Sequence, residues 1–197
     1  MALILVRHGR TTANAAGLLQ GHIDNPLDEL GVRQAAAIAV ALAGLDRPRV
    51  LSSPLLRARQ TASALQLPVQ VEDRFIELDY GGLDGLAVRD VDAATWARWR
   101  AEPDFVPAGG ESLARLQARV EQACAELCAD AGERDVVVFS HVSPIKAAVA
   151  WALGVDGPAL SWRMTLGQAT ITRIRTAPGN PALLAFNSDS HLAGLGA

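Results

Sequence analysis

Two short apolar runs, LILV at residues 3–6 and VVVF at 136–139, each end within two residues of a histidine, His8 and His141. A bounded run of four or five leucine, isoleucine and valine residues is too short for a buried helix and suits a buried strand. Placing an imidazole at the end of such a strand is costly unless it finds a partner or a task. The repetition of this arrangement, with Arg7 beside one histidine and a helix-like segment after each, constrains the chain to a sheet whose strand ends carry polar chemistry.

The rest of the chain alternates in the same way. Predicted strands lie at 3–7, 49–52, 69–71 and 135–140, with a terminal pair at 168–174 and 183–187 across the turn APGNP at 177–181. Between them run alanine-rich segments with readable ends. Asp28 caps a helix through about residue 43 on which Leu30, Ile38, Leu42 and Leu45 recur near helical spacing. Ser53-Pro54 and Ser143-Pro144 each place a capping serine ahead of a proline at the first helical position. A long helix starts near Ser112, with Leu113, Leu116, Val120, Cys124 and Leu127 as its apolar stripe. Strands alternating with helices predict a three-layer α/β/α fold around a mostly parallel sheet. Residues 83–110 break the pattern with Trp96, Trp99 and the loop EPDFVPAGGES, and are read as a small helical lid inserted into a single domain spanning 1–197.

Composition narrows the partners. A net charge of −3 argues against nucleic acid and anionic membrane surfaces, so any positive field for an anionic ligand must be local. Cys124 and Cys128 lie one helical turn apart with no histidine near them, which predicts packed thiols in a reducing compartment and not a metal site. No signal-peptide pattern or membrane-length apolar stretch is present, and the expected location is the cytoplasm. The terminal strand pair offers an edge through which a homodimer would form.

In open α/β sheets, ligands bind beyond the carboxyl ends of the strands. Parallel neighbours at 3–7, 49–52 and 135–140 would gather Arg7, His8, Arg57 and His141 there, and Glu77 stands just before a double glycine in a nearby segment. Two helix N-termini at the same edge suit a dianion, most naturally a phosphate.

The boxes RHGRTTAN, SSPLLRARQTA, IELDYGGLDG, PAGGES and FSHVSPIK resemble, in order, the signatures of the histidine phosphatase superfamily, the phosphoglycerate-mutase-like proteins. The resemblance implies that His8 is a nucleophile that becomes phosphorylated and that Arg7, Arg57 and His141 hold the phosphoryl oxygens. It makes Glu77 the proton donor to the leaving group and brings Asn14 to the phosphate pocket. Gln20 and Gly21 match positions that contact the rest of the substrate, and the Val142 N–H is directed at the phosphate. Such chemistry asks for a neutral imidazole with one nitrogen tied to a carbonyl near Gly9, and for arginine forks on phosphate oxygens. It implies no metal and no cofactor. Three residues depart from the pattern: Arg10, expected to face solvent, Leu83 in place of a tryptophan, and Val142 in place of a glycine. His22 and His191 are expected on the surface or in loops, without a role.

The function so implied is a phosphatase for a small phosphorylated metabolite. The alternatives are a phosphoglycerate mutase and, from another class, a non-catalytic phosphate-binding protein. The stretch between Glu77 and His141 is short and the tail NSDSHLAGLGA lacks lysine and arginine, which favours the phosphatase over the mutase. The presence of His8, Glu77 and His141 together disfavours the non-catalytic reading. For the leaving group, Trp96, Trp99, Leu86 and Phe105 are candidate lid residues, with Arg98 or Arg100 beside them; the tryptophans serve equally well as packing between lid and body.

Overall fold

The computed structural model describes residues 1–130, 134–176 and 180–195. In chain order its elements are β1 (Ala2–Arg7), α1 (Thr12–Ala15), α2 (Glu29–Leu42), β2 (Arg49–Ser52), α3 (Leu56–Ser63) and β3 (Val69–Val71). They continue with α4 (Ala93–Ala101), α5 (Leu113–Asp130), β4 (Val136–Ser140), α6 (Val142–Leu153), α7 (Gly157–Ser161), β5 (Ile171–Arg175) and β6 (Ala182–Ser188). Among the described residues the strands form one sheet in the order β3-β2-β4-β1-β5-β6. The first four are parallel; on the far side of β1, β5 pairs antiparallel with β1 and β6 antiparallel with β5.

The apolar strands are buried on both faces because successive side chains point to opposite sides. Leu3, Leu5, Val136 and Val138 face a core closed by α5 and α6 through Leu116, Val120, Cys124, Ile145 and Ala148. Ile4, Val6, Val137 and Phe139 face a second core closed by α2 and α3 through Ile38, Leu42, Ala58 and Ala62. Each such fully buried Leu, Ile, Val or Phe side chain stabilises the fold by about 1.5–3 kcal/mol. The sheet therefore has helices on both sides, and its functional surface is left at the strand ends.

The register fixes which ends align. Arg7 pairs with Ser140 and Ser52 with Phe139, so the residues that follow, His8, His141 and Ser53, leave the sheet in one row. The predicted strand at 168–174 starts later than expected, at Ile171. Ala169 adopts φ +58°, which no strand accommodates. The resulting turn folds over the end of β1, where the Ala169 N–H donates to the His8 carbonyl at 3.0 Å and the Thr170 carbonyl accepts from the Arg7 N–H at 3.1 Å. Part of the predicted turn at 177–181 lies outside the described residues.

Asp28 caps α2 as expected, accepting from the Gly31 N–H at 2.8 Å. This first turn of α2 presses against the loop after β1. A Cβ on Gly31 would fall 2.1 Å from the Arg10 carbonyl oxygen, and one on Gly9 would fall 2.5 Å from the Gly31 oxygen. Both contacts are backbone on backbone, so neither neighbour can move aside alone. Replacing Gly31 by Ala should cost about 2–3 kcal/mol in urea unfolding. Gly44→Ala, where an added Cβ meets nothing within 4 Å, should stay within about 0.5 kcal/mol of wild type. Equal stability of the two variants would show that the close approach does not constrain the loop.

Candidate active site

His8 is the first residue beyond β1, and its backbone is tied on both sides: its N–H donates to the Ser140 carbonyl at 3.0 Å and its carbonyl accepts from Ala169. Its Nδ1 lies 2.7 Å from the Gly9 carbonyl oxygen. A carbonyl only accepts, so the ring proton sits on Nδ1 and Nε2 keeps its lone pair. The His141 ring stands 5.1 Å away, centroid to centroid, tilted by 57°. Its Nε2 is 2.7 Å from the Ser53 hydroxyl, and that hydroxyl oxygen also accepts from the Leu55 N–H at 3.3 Å. Among the described residues Nε2 is the one acceptor offered to the Ser53 O–H; donation to it leaves the proton of the neutral His141 ring on Nδ1. That Nδ1 and the Arg7 Nε are buried donors without a hydrogen-bond partner among the described residues.

Burial holds both rings in the neutral form. It is the largest influence pushing the His8 and His141 pKa values well below the ordinary histidine range; for both, the Arg57 and Arg7 guanidiniums add to it. Arg7 is itself lowered to about 10 by burial and remains a cation at neutral pH.

Arg57, whose fork was expected on phosphate oxygens, uses it otherwise in this structure. Its Nη1 donates to the Ile23 carbonyl at 2.9 Å, and its Nη2 to those of Gln20 and Gly21 at 3.2 and 2.8 Å. With the Gln20 amide oriented to donate to Thr11 Oγ1 at 2.6 Å, its oxygen accepts from Arg57 Nη1 and Nε at 3.0 and 2.9 Å. A fully buried guanidinium thus braces the loop at 20–23 and places its charge near both histidines.

The helix starts differ from expectation, and remote carboxylates are the reason. Glu77 is buried, and its two carboxylate oxygens accept from the Leu78, Val142 and Ser143 N–H groups at 2.8, 3.1 and 3.2 Å. It caps α6 from another part of the chain, so the helix begins at Val142 and Pro144 stands in its first turn but not at its first position. The α3 helix begins at Leu56, two residues beyond Pro54, and Asp24 accepts from the Leu56 N–H. Helix N-termini attract anions, and here two are held by side-chain carboxylates. The Val142 N–H, expected to face the phosphate, therefore faces Glu77.

Other predicted residues are placed as follows. Asn14 forms a reciprocal capping box with Thr11 at the start of α1, which closes the loop after His8. Gln20 joins Thr11 to Arg57, and Gly21 packs where a Cβ would lie 2.7 Å from the Leu78 oxygen. Arg10 does not simply face solvent: it pairs with Asp28 at 2.8 Å. His22 is exposed, with Nε2 2.9 Å from the Glu77 carbonyl.

Beside the Glu77 carboxylate lies a cavity of about 120 Å³. Trp96 stacks on Trp99 at 5.7 Å, Trp162 meets both edge-on, and all three line it together with Tyr80. The tryptophans of α4 thus pack that helix onto the core and wall the cavity at once. Leu86 is exposed instead, and Phe105 backs Trp99 while Arg98 covers its face. Trp162, Lys146 and Arg119, whose Nη2 donates to the Glu77 carbonyl at 3.2 Å, were not singled out from sequence, and Ser53 was read only as a helix cap. Only Lys146 had a local signal, as the one lysine in the FSHVSPIK box.

The signature of the histidine phosphatase superfamily (branch 1) matches residues 3–189. The chain is 35% identical to phosphoserine phosphatase 1 of Hydrogenobacter thermophilus, over 96% of this chain and 93% of that protein. It is 35% identical to a glucosyl-3-phosphoglycerate phosphatase of Mycobacterium tuberculosis, over 90% and 87%. Among solved structures, a phosphoserine phosphatase mutant from Entamoeba histolytica in complex with phosphoserine superposes with a TM-score of 0.87 at 29% identity, covering 97% of this chain and 98% of that one.

The depressed histidines make stability depend on pH. In the unfolded chain both rings titrate near the ordinary 6.5; in the folded protein they titrate lower. Below pH 6.5 the unfolded state binds more protons, so stability is complete above that pH and is lost as pH falls toward the folded values. Between pH 6.5 and 5.5 wild type should lose about 2 kcal/mol more than a His8→Asn, His141→Asn double variant, about 1 kcal/mol per ring. Parallel curves for the two proteins in denaturant titrations would mean the rings are not held neutral.

Proposed function

The chain belongs to branch 1 of the histidine phosphatase superfamily and is a phosphoric monoester hydrolase acting on a small phosphorylated metabolite; we propose that His8 is its nucleophile and that the reaction passes through a phosphohistidine. The observation that carries this reading is the fixed tautomer of His8. With Nδ1 held on the Gly9 carbonyl, Nε2 is a neutral lone pair in a site rich in positive charge.

In the first step Nε2 attacks phosphorus, the N–P bond forms, and the bond to the ester oxygen breaks. Glu77 takes up a proton from the monoprotonated phosphate ester as it binds and passes it to this oxygen, and the alcohol leaves. In the second step water attacks the phosphohistidine, gives a proton to the Glu77 carboxylate, and the N–P bond breaks to release inorganic phosphate. The Arg7 Nε and His141 Nδ1 donors supply hydrogen bonds to the phosphoryl oxygens. Arg57 contributes its charge and holds the Gln20–Ile23 loop in place. Phosphoryl transfer asks mainly for this kind of positioning and charge stabilisation, and the scheme asks for no metal. Asn14 and Gly21 shape the pocket through backbone and loop packing, and Gln20 does so through Arg57.

p-Nitrophenyl phosphate tests the reading. His8→Ala should abolish phosphate release, and Arg57→Ala should lower kcat by at least about 100-fold. Retained turnover in the His8 variant would remove it as nucleophile. Assay of 3-phosphoglycerate with and without a bisphosphate primer separates hydrolysis from mutase chemistry: hydrolysis yields inorganic phosphate and needs no primer.

A further inference from the structure

Lys146 is the feature that the proposed chemistry leaves without a task. It lies on α6, one turn beyond the Glu77-capped N–H groups, and lines the aromatic cavity. Its Nζ donates to the Ser161 carbonyl at 2.9 Å. An ammonium has three N–H bonds, and among the described residues Lys146 forms no ion pair with a carboxylate. A lysine that is half-buried between tryptophans without a counter-ion is uncommon, because removing the charge from water is costly unless an anion compensates.

We propose that this cavity receives the leaving group and that Lys146 binds a carboxylate on it, so that the favoured substrates are phosphate monoesters of small hydroxy acids. The inference rests on the hydrolase reading above and goes further by naming the substrate class. Continuity with the reacting centre supports it. Val142 and Ser143, whose N–H groups hold Glu77, also line the cavity, so an alcohol leaving toward Glu77 enters it directly. Size supports it too. A cavity of about 150 Å³ holds benzene, so the present 120 Å³ admits about five heavy atoms, enough for the carboxylate end of a small hydroxy acid whose ester oxygen stays outside it. The chemistry of the walls agrees, with Trp96, Trp99 and Trp162 facing the methylene groups and the ammonium at the polar end. Burial also lowers the Lys146 pKa, the mark of a charge held partly out of water.

Two substrate pairs that differ in the carboxylate test the proposal: 3-phosphoglycerate against glycerol 3-phosphate, and O-phosphoserine against O-phosphoethanolamine. In wild type the carboxylated member should have the higher kcat/KM. Lys146→Met should reduce that preference by about 10- to 100-fold, the value of a charge-assisted hydrogen bond, mostly through KM, and Lys146→Arg should restore part of it. A preference that stays within about threefold of wild type in Lys146→Met would reduce the lysine to a tether between α6 and α7 and overturn the proposal. Thermal unfolding of each variant confirms the comparison is between folded proteins. A measurement on wild type alone gives a second test: glycerate should inhibit p-nitrophenyl phosphate hydrolysis at least about 10-fold more strongly than glycerol, and equal inhibition overturns the proposal. Wild type inert on p-nitrophenyl phosphate would instead defeat the hydrolase reading, and this inference with it.

Discussion

The constraint on which the site depends is a surplus of buried positive charge. Arg7 and Arg57 are almost wholly out of water, and among the described residues the one carboxylate buried with them is Glu77. Two guanidiniums against one carboxylate leave an excess cation in a region where charge is expensive. Each feature of the site follows from managing that excess. The imidazoles give up their protons, chiefly because they are buried and further because the two guanidiniums stand near them. The carbonyls of Gln20, Gly21 and Ile23 turn inward to satisfy Arg57, and Leu166 offers its carbonyl to Arg7. On the reading proposed above, a phosphoryl dianion supplies the charge the cluster lacks, so that a chain of net charge −3 offers phosphate a local positive site.

The same surplus explains why the backbone around His8 is so closely determined. A neutral imidazole presents its lone pair at one set nitrogen only if its tautomer is fixed, and here the Gly9 carbonyl at hydrogen-bond distance fixes it. That carbonyl is positioned by the Gly9–Gly31 contact, which joins the loop after β1 to the first turn of α2. The Ala169 turn, strained at φ +58°, anchors the His8 carbonyl from the other side. Strain at a buried alanine persists only where surrounding contacts over-determine it, and here it is clamped by hydrogen bonds at the end of β1.

What sequence made legible was set by local periodicity. The strands, the two-sided core and the convergence of Arg7, His8, Arg57 and His141 all follow from where short apolar runs stop and polar residues begin. What it missed depends on distant partners. Ser53-Pro54 and Ser143-Pro144 have the local form of helix starts, yet Asp24 and Glu77 take over the capping from far along the chain, and the helices begin elsewhere. Ser53 could not reveal that its hydroxyl serves His141, 88 residues away. Arg10 was expected to face solvent, and its partner Asp28 read only as a cap; the structure uses that carboxylate for both tasks. Trp162 gave no periodic signal, and its place opposite Trp96 and Trp99 emerges only when α7 folds back against the lid.

Glu77 links the two parts of the site. Its carboxylate rests on the first N–H groups of α6, while the residues bearing those groups face the aromatic cavity. The phosphoryl side is built from strand ends, locked by sheet register and by hydrogen bonds that tolerate little change. The leaving-group side is built from α4, α6 and the segment after α7, where aromatic packing and one lysine meet. A side chain there can be exchanged without disturbing the tautomer of His8 or the bracing of Arg57, because neither contact passes through the lid. On the roles proposed above, such a division lets one scaffold keep its chemistry constant while the alcohol is chosen by residues that do not touch phosphorus. It also explains why the catalytic boxes can be read from sequence more readily than the substrate: the former sit at strand ends, and the latter is written in packing.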